Sequence, residues 1–352
     1  MTGIDSIEWP EVKKSELDFD DNCIYFGAIG FEDRACSFLK ELRNKRKKLK
    51  TIFAIEYIPK NRRNRKEVFL SAAKSLTDDI QFLEYDRFSP NSFAVIIGRV
   101  AESIGSNPII IDVSSMSKMA EIILLDAFAK NSSQLSVIYT EARVYHPTKR
   151  VFEKRGGRTI FRTRYVYSII SIPSPAGMSM QGSPLALVAF PNFNQLELRT
   201  LLNEISPQEL FILEGDQPIA ANHWRLDAIR ELNREIIEFA IQKESVHEKI
   251  VSTRYYTETI DALEEIYEKT RYTHRLLISP TGSKMGALGV LLFKRIHPEI
   301  QIIYPVTSDF SAYTKGFIDI WQIDFGPFAN FINRLEELRN KPPSELISKL
   351  SM

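Results

Sequence analysis

Residues 111–139 read IDVSSMSKMAEIILLDAFAKNSSQLSVIY, and residues 278–304 read ISPTGSKMGALGVLLFKRIHPEIQIIY. Each stretch leaves a β-rich apolar run and turns through serine beside lysine. Each then continues with helical apolar spacing and ends on a second short apolar run closed by tyrosine. Strand, turn, helix, strand in that order is the βαβ unit of a parallel sheet. Ser117, Lys118 and Met119 precede Ser283, Lys284 and Met285 by 166 positions, and Tyr139 precedes Tyr304 by 165. Farther out, Glu56 and Glu214 are 158 apart and Phe31 and Phe193 are 162 apart. Nearly constant offsets over four elements predict that the chain is an internal duplication.

Working outward, short apolar runs alternate with longer amphipathic stretches along the whole chain. Strands are expected at 24–29, 51–58, 80–85, 108–113, 135–140 and 165–172, then at 185–190, 209–213, 249–253, 275–279, 301–304 and 317–323. The expected fold class is α/β, with two Rossmann-like, doubly wound, mainly parallel sheets in tandem, related by a pseudo-two-fold axis. The first half is expected to cover 1–173, closed by strand 165–172. A Pro/Gly/Ser-rich linker covers 174–184, the second half 185–325 and a helical tail 326–352.

Composition narrows the function classes. The chain has 352 residues, about two domains at roughly 150 per domain. Forty-six basic against 45 acidic side chains leave a net charge of +1, so any affinity for a polyanion has to be local. Two cysteines, Cys23 and Cys36, are too few for a disulfide scaffold or a structural zinc site, which fits a reducing cytoplasm. The first fourteen residues do not read as a secretory leader, and no uncharged apolar run approaches the roughly 18–20 residues that span a bilayer. The five histidines show no ligand spacing, so neither a metal nor a cofactor is expected.

The two Ser-Lys turns fall at the carboxyl edge of a parallel sheet, where open α/β folds bind ligands. Backbone amides at a helix start, small residues, a hydroxyl and a lysine make an anion cradle. Ser115, Ser117 and Lys118 are the candidates in the first half, and Thr281, Gly282, Ser283 and Lys284 in the second. Neither turn has Walker A spacing, and no GxGxxG fingerprint occurs, which argues against ATP hydrolysis and NAD chemistry. The alternative reading of each turn is a helix N-cap with a solvated lysine. The loops after the first strands lie at the same edge. There Gly30 allows close approach, Arg34 is placed to grip a phosphate, and Asn192 and Asn194 are placed to hydrogen-bond a base or ribose. Past the fifth strands, Tyr145 and Tyr313 are candidates for stacking and His146 for acid–base work.

One segment is strongly basic. Between Arg43 and Lys66 there are eleven lysines and arginines in twenty-four residues against a single acid, Glu56. Lys45, Arg46, Lys47, Lys48, Arg62, Arg63 and Arg65 therefore form a candidate nucleic-acid footprint, with a solvated helix end as the plainer alternative.

The strand, SPTGSKM turn and helix beginning at Ser279 resemble the N-x-T-G-G-T-K-x-M turn of CARF domains, Rossmann-like sensors of cyclic oligoadenylate in prokaryotic immunity. The tandem is similar to the SAVED arrangement, with two CARF-like units in one chain. The turn here is one residue shorter than the family's, and Ser279 stands in place of its asparagine. What the resemblance implies is binding of a phosphate-rich cyclic oligonucleotide in antiviral defence, with the output in a partner protein because no nuclease signature is present. Alternative readings are a metal-independent ring nuclease, or a nucleic-acid-binding or scaffold subunit of a defence complex.

Overall fold

Within each central strand, neighbouring side chains point to opposite faces and both faces are apolar. Phe26, Phe53, Ile55, Ile109 and Ile111 enter one core, while Tyr25, Ile52, Ala54 and Ile110 enter another. A continuous apolar run is stable only where helices cover both sides of a sheet. The computed structural model, which describes residues 3–155, 165–172, 182–307 and 314–339, has this arrangement twice.

The first half runs β1 (Lys13–Lys14), β2 (Ile24–Ala28), α1 (Ser37–Asn44), β3 (Thr51–Ile58), α2 (Lys66–Ala73), β4 (Ile80–Asp86) and α3 (Pro90–Ser103). It continues with β5 (Ile109–Asp112), α4 (Lys118–Ala127), β6 (Gln134–Tyr145) and α5 (Lys149–Arg155). After β7 (Val166–Ser171), the second half runs β8 (Leu185–Ala189), α6 (Gln195–Ile205), β9 (Glu209–Asp216), α7 (Trp224–Ala240) and β10 (Val246–Ser252). Then come α8 (Tyr256–Thr270), β11 (Arg275–Ser279), α9 (Lys284–Ile296) and β12 (Gln301–Thr307), followed by β13 (Thr314–Pro327) and α10 (Phe328–Leu338).

The first sheet contains the parallel series β4-β3-β2-β5-β6 and the second the parallel series β10-β9-β8-β11-β12. Numbered within each half, both have the order 3-2-1-4-5, as a duplicated doubly wound unit requires. The sixth strands depart from the expected layout. Strand β7, expected to close the first half, pairs antiparallel with β12 in the second sheet, and β13 pairs antiparallel with β6 in the first. Each half thus donates its last strand to the other half's sheet, so boundaries at 173 and 185 divide the sequence but not the sheets. Most of the expected linker, 174–181, and the tail from 340 onward lie outside the described residues.

Helices α4 and α9 are buried almost all round, because each is covered by its own sheet on one side and by the other helix on the other. One hydrophobic cluster runs through both lobes, from Phe26 and Leu124 to Leu288 and Ile278. Packing is close enough that a Cβ on Gly289 would lie 2.7 Å from the Tyr256 carbonyl oxygen, so glycine is required where α9 crosses α8. The Tyr256 hydroxyl also donates to the Pro10 carbonyl at 2.7 Å, tying the N-terminal segment to the second lobe. Among the described residues, no helix is long and apolar enough to cross a membrane.

Candidate functional site

Both Ser-Lys turns begin a helix at the carboxyl edge of their sheet, and their local bonding is the same. Ser117 caps α4, its Oγ accepting the Ala120 N–H at 3.1 Å; Ser283 caps α9, its Oγ accepting the Gly286 N–H at 2.8 Å. Two residues earlier the match continues. The Ser115 hydroxyl donates to the Ala28 carbonyl at 2.9 Å, and the Thr281 hydroxyl donates to the Phe190 carbonyl at 2.7 Å. Those hydroxyls are therefore latches between the turn and the loop after the first strand. Gly30 serves the same closure, since a Cβ there would lie 2.9 Å from the Ser115 Cβ.

The turns open onto one cavity of about 980 Å3 between the lobes. Of the sequence-predicted residues, Gly30, Arg34, Ser115, Ser117, Lys118, Asn192, Gly282, Ser283 and Lys284 line it, and so do Arg62 and Arg63 from the basic segment. Thr281 is buried behind the turn, and its carbonyl accepts a bond from the Lys118 ammonium of the other lobe at 3.3 Å. Nine lysine and arginine side chains line the cavity against one acid, Glu32, so the interior strongly favours anions.

Several expectations need correction. The Asn192 and Asn194 amides are braces within the protein. The Asn192 amide donates to Glu197 at 2.8 Å and to the Thr281 carbonyl at 3.1 Å, and the Asn194 amide donates to Glu197 at 3.0 Å. Asn194 does not reach the cavity. Arg34 does reach it, with its Nε donating to Glu32 at 2.7 Å. Burial disfavours the Arg34 charge, but Glu32, Tyr139 and Tyr145 more than offset this and hold the guanidinium above its ordinary range. His146 lies off the cavity and offers its carbonyl to Arg225, and Tyr313 lies outside the described residues.

The basic segment is not one footprint. Strand β3 runs through its middle and separates its ends by roughly 25 Å of extended chain. Lys45, Arg46, Lys47 and Lys48 sit before β3, at the end of the sheet away from the cavity. There Lys45 donates to the Glu16 carbonyl, Lys47 pairs with Asp18 at 2.7 Å and Lys48 donates to the Ser75 carbonyl at 3.2 Å. Arg62 and Arg63 follow β3 at the cavity, and Arg65 pairs with Asp33.

The lysines face each other across the lobe boundary in a partly dehydrated setting. Burial, reinforced by the Lys118 charge, pushes the Lys284 ammonium down to about 7. Burial likewise lowers Lys118, opposed by Glu197 and Glu121. Glu121, one turn into α4, is fully buried with neither carboxylate oxygen hydrogen-bonded. Burial pushes it up to about 8, against the pull of Lys284 and Lys118. Its repeat counterpart at the 166 offset is Ala287, so this carboxyl occurs in only one of the two copies.

Sequence reasoning missed two arginines that join the lobes. Buried Arg225 on α7 donates to the carbonyls of Tyr145, His146 and Pro147, the last at 2.7 Å. It also stacks 4.5 Å over the Phe193 ring. Arg254 pairs with buried Glu141 at 2.7 Å and lies 4.1 Å over Trp321. No local pattern marks either residue, since their acceptors are about 80 and 113 positions away. Arg225→Ala is expected to lower unfolding free energy by about 2–3 kcal/mol, because several charge-assisted bonds are lost at once. Urea unfolding measures this, and an unchanged midpoint refutes it. Arg225→Lys should not restore stability, because one ammonium cannot span three carbonyls in the manner of a guanidinium fork.

The fold and site together define a tandem, doubly wound α/β protein whose two lobes close over one polycationic cavity. Among solved structures the chain is similar to a type III CRISPR defence DNA nuclease activated by cyclic oligoadenylate, with a TM-score of 0.51 and 11% identity, covering 83% of this chain and 68% of that one. That similarity bears on the fold. A functionally unknown protein from Pseudomonas aeruginosa PAO1 also matches, at a TM-score of 0.25 and 13% identity, over 91% of this chain and 97% of that one. No protein-family model and no curated protein matches the chain.

Proposed function

We propose that the interlobe cavity binds a cyclic oligonucleotide second messenger, of the cyclic oligoadenylate class, in antiviral defence. The observation that carries this reading is the convergence of two equivalent Ser-Lys turns on one cavity lined by nine cations and one acid. A ligand with repeated phosphates matches a site with repeated cradles. Ser117, Lys118, Gly282, Ser283 and Lys284 contact the phosphates in this reading. Arg34 adds charge from the loop after β2. The named activator of the similar nuclease supports the ligand class. In this reading the occupied cavity signals to an effector in a partner protein.

Two measurements test the reading. Mass spectrometry of small molecules released from the purified protein should detect a bound oligonucleotide. Calorimetry should give a saturable signal with cyclic tri-, tetra- or hexa-adenylate. A protein that carries no nucleotide and shows no binding of any of the three sinks the proposal.

A further inference from the structure

The lobes match at their Ser-Lys turns and differ in the loops after their second strands. Between β3 and α2, residues 59–65 read PKNRRNR, with four cations; between β9 and α7, residues 217–223 read QPIAANH, with no lysine or arginine. Lys60, Arg62 and Arg63 line the cavity from the first loop, whereas the second contributes Gln217. Overall the first half supplies seven of the nine lining cations, and the second only Arg225 and Lys284.

The turns themselves also differ in what they leave open. Near its end strand β3 carries Glu56-Tyr57 where β9 carries Glu214-Gly215, at the 158 offset. Both glutamates play one structural part, Glu56 pairing with Lys66 at 2.6 Å and Glu214 accepting from Arg230 at 2.9 Å. The next residue breaks the symmetry. The Ser117 N–H donates to the Tyr57 hydroxyl at 2.6 Å, so the first amide of the α4 turn already has its partner. Gly215 has no side chain to do the same for α9. Among the described residues, the Ser283 N–H makes no hydrogen bond, and the Lys284 ammonium makes neither hydrogen bond nor ion pair.

Building on the nucleotide reading above, we infer that the cavity also takes a ligand without two-fold symmetry, a linear oligonucleotide bearing a terminal phosphomonoester. An internal phosphodiester sits on the open Ser283–Lys284 turn, and the terminal phosphate sits on Arg62 and Arg63. A phosphodiester carries one negative charge, whereas a terminal monoester approaches two at neutral pH and offers three acceptor oxygens. Adjacent guanidiniums are the side chains that bind such a group through paired, charge-assisted bonds. A ring has no terminal monoester, and a site built only for a ring has no need of a cationic loop in one lobe alone.

The test is calorimetry of the full chain with four probes: cyclic tri-adenylate, and linear tri-adenylate with a 5′-phosphate, with a 3′-phosphate, or with neither. Wild type is expected to bind one of the end-phosphorylated forms at least about tenfold more tightly than the unphosphorylated one. Arg62→Ala combined with Arg63→Ala, both exposed, should bring those two affinities within about twofold by weakening the phosphorylated form alone. Equal wild-type affinity for the linear forms, persistence of the preference in the double variant, or binding of the cyclic probe alone would each overturn this inference while leaving the nucleotide reading standing. Binding of none of the four overturns this inference, and the nucleotide reading falls with it only when cyclic tetra- and hexa-adenylate also fail to bind and the purified protein carries no nucleotide.

Discussion

Replacing Lys118 and Lys284 together by alanine is expected to weaken the proposed nucleotide binding by at least about tenfold without lowering thermal stability. Both ammonium groups line the cavity, and burial holds both below the ordinary lysine range, so neither is a net source of folding energy. An incoming phosphate supplies the counter-charge that each lacks. Lys284→Ala alone should cost more than Lys118→Ala alone, because the Lys118 ammonium already has the Thr281 carbonyl at 3.3 Å. The same geometry fixes a pH dependence. With Lys284 at about 7, the unliganded protein loses that charge as pH rises through neutrality, whereas a bound anion favours the charged form. Affinity therefore falls between pH 6 and 8.5, as protons are taken up on binding, and in Lys284→Ala this dependence flattens. Calorimetry across that range in buffers of different ionisation enthalpy reads both effects. Unchanged affinity in a folded double variant would remove these lysines from the site.

Glu121→Gln is expected to change how stability depends on pH. The folded-state value of Glu121, about 8, lies above its unfolded value of 4.5. The native state therefore binds the extra proton, and the associated stability is complete below pH 4.5 and lost as pH rises through 8. Lys284 acts in the opposite sense. Its folded value, about 7, lies below 10.5, so its contribution is present above that value and is lost as pH falls through 7. Between pH 5 and 7 the Glu121 slope operates in the wild type and is absent from Glu121→Gln, while buried Asp112, pushed up to about 6, contributes alike to both proteins. In that window the wild type should lose more stability than Glu121→Gln, the variant gaining about 1–3 kcal/mol relative to wild type by pH 7. Urea unfolding at pH 5, 6 and 7 measures the difference, and parallel curves for the two proteins would contradict the assignment. Glu121 occurs in one repeat only and sits between the two lysines in charge terms. It therefore makes the buried charge beneath the two turns asymmetric.

Much of the fold was legible along the chain because strand and helix periodicity is a local property. Strands 51–58 and 275–279 occur at the expected bounds, since turn residues and charges delimit their apolar runs on both sides. Strand 135–140 extends to Tyr145, and 317–323 widens to Thr314–Pro327, because each finds a long antiparallel partner in the other. The equivalence of Ser115 with Thr281 and of Ser117 with Ser283 was visible as an offset and recurs as matching hydrogen bonds. The engagement of Asn192 and Asn194 with Glu197 was not visible, because a side-chain amide at a sheet edge has the same sequence signature whether it faces a ligand or a neighbour.

By itself, the order of residues determined the two doubly wound units, their common strand order and the placement of a Ser-Lys turn at the same point in each. Those features follow from spacing within a few tens of residues. Only the tertiary structure decided which sheet receives β7 and β13, since an antiparallel edge strand presents the same ladder and the same apolar face to either half. It also decided that the two turns share one cavity, that β3 parts the basic segment into two ends, and that Arg225 and Arg254 clamp the lobes together. Each of these depends on groups far apart in the chain whose approach is set by the packing of α4 on α9, and no periodicity records it.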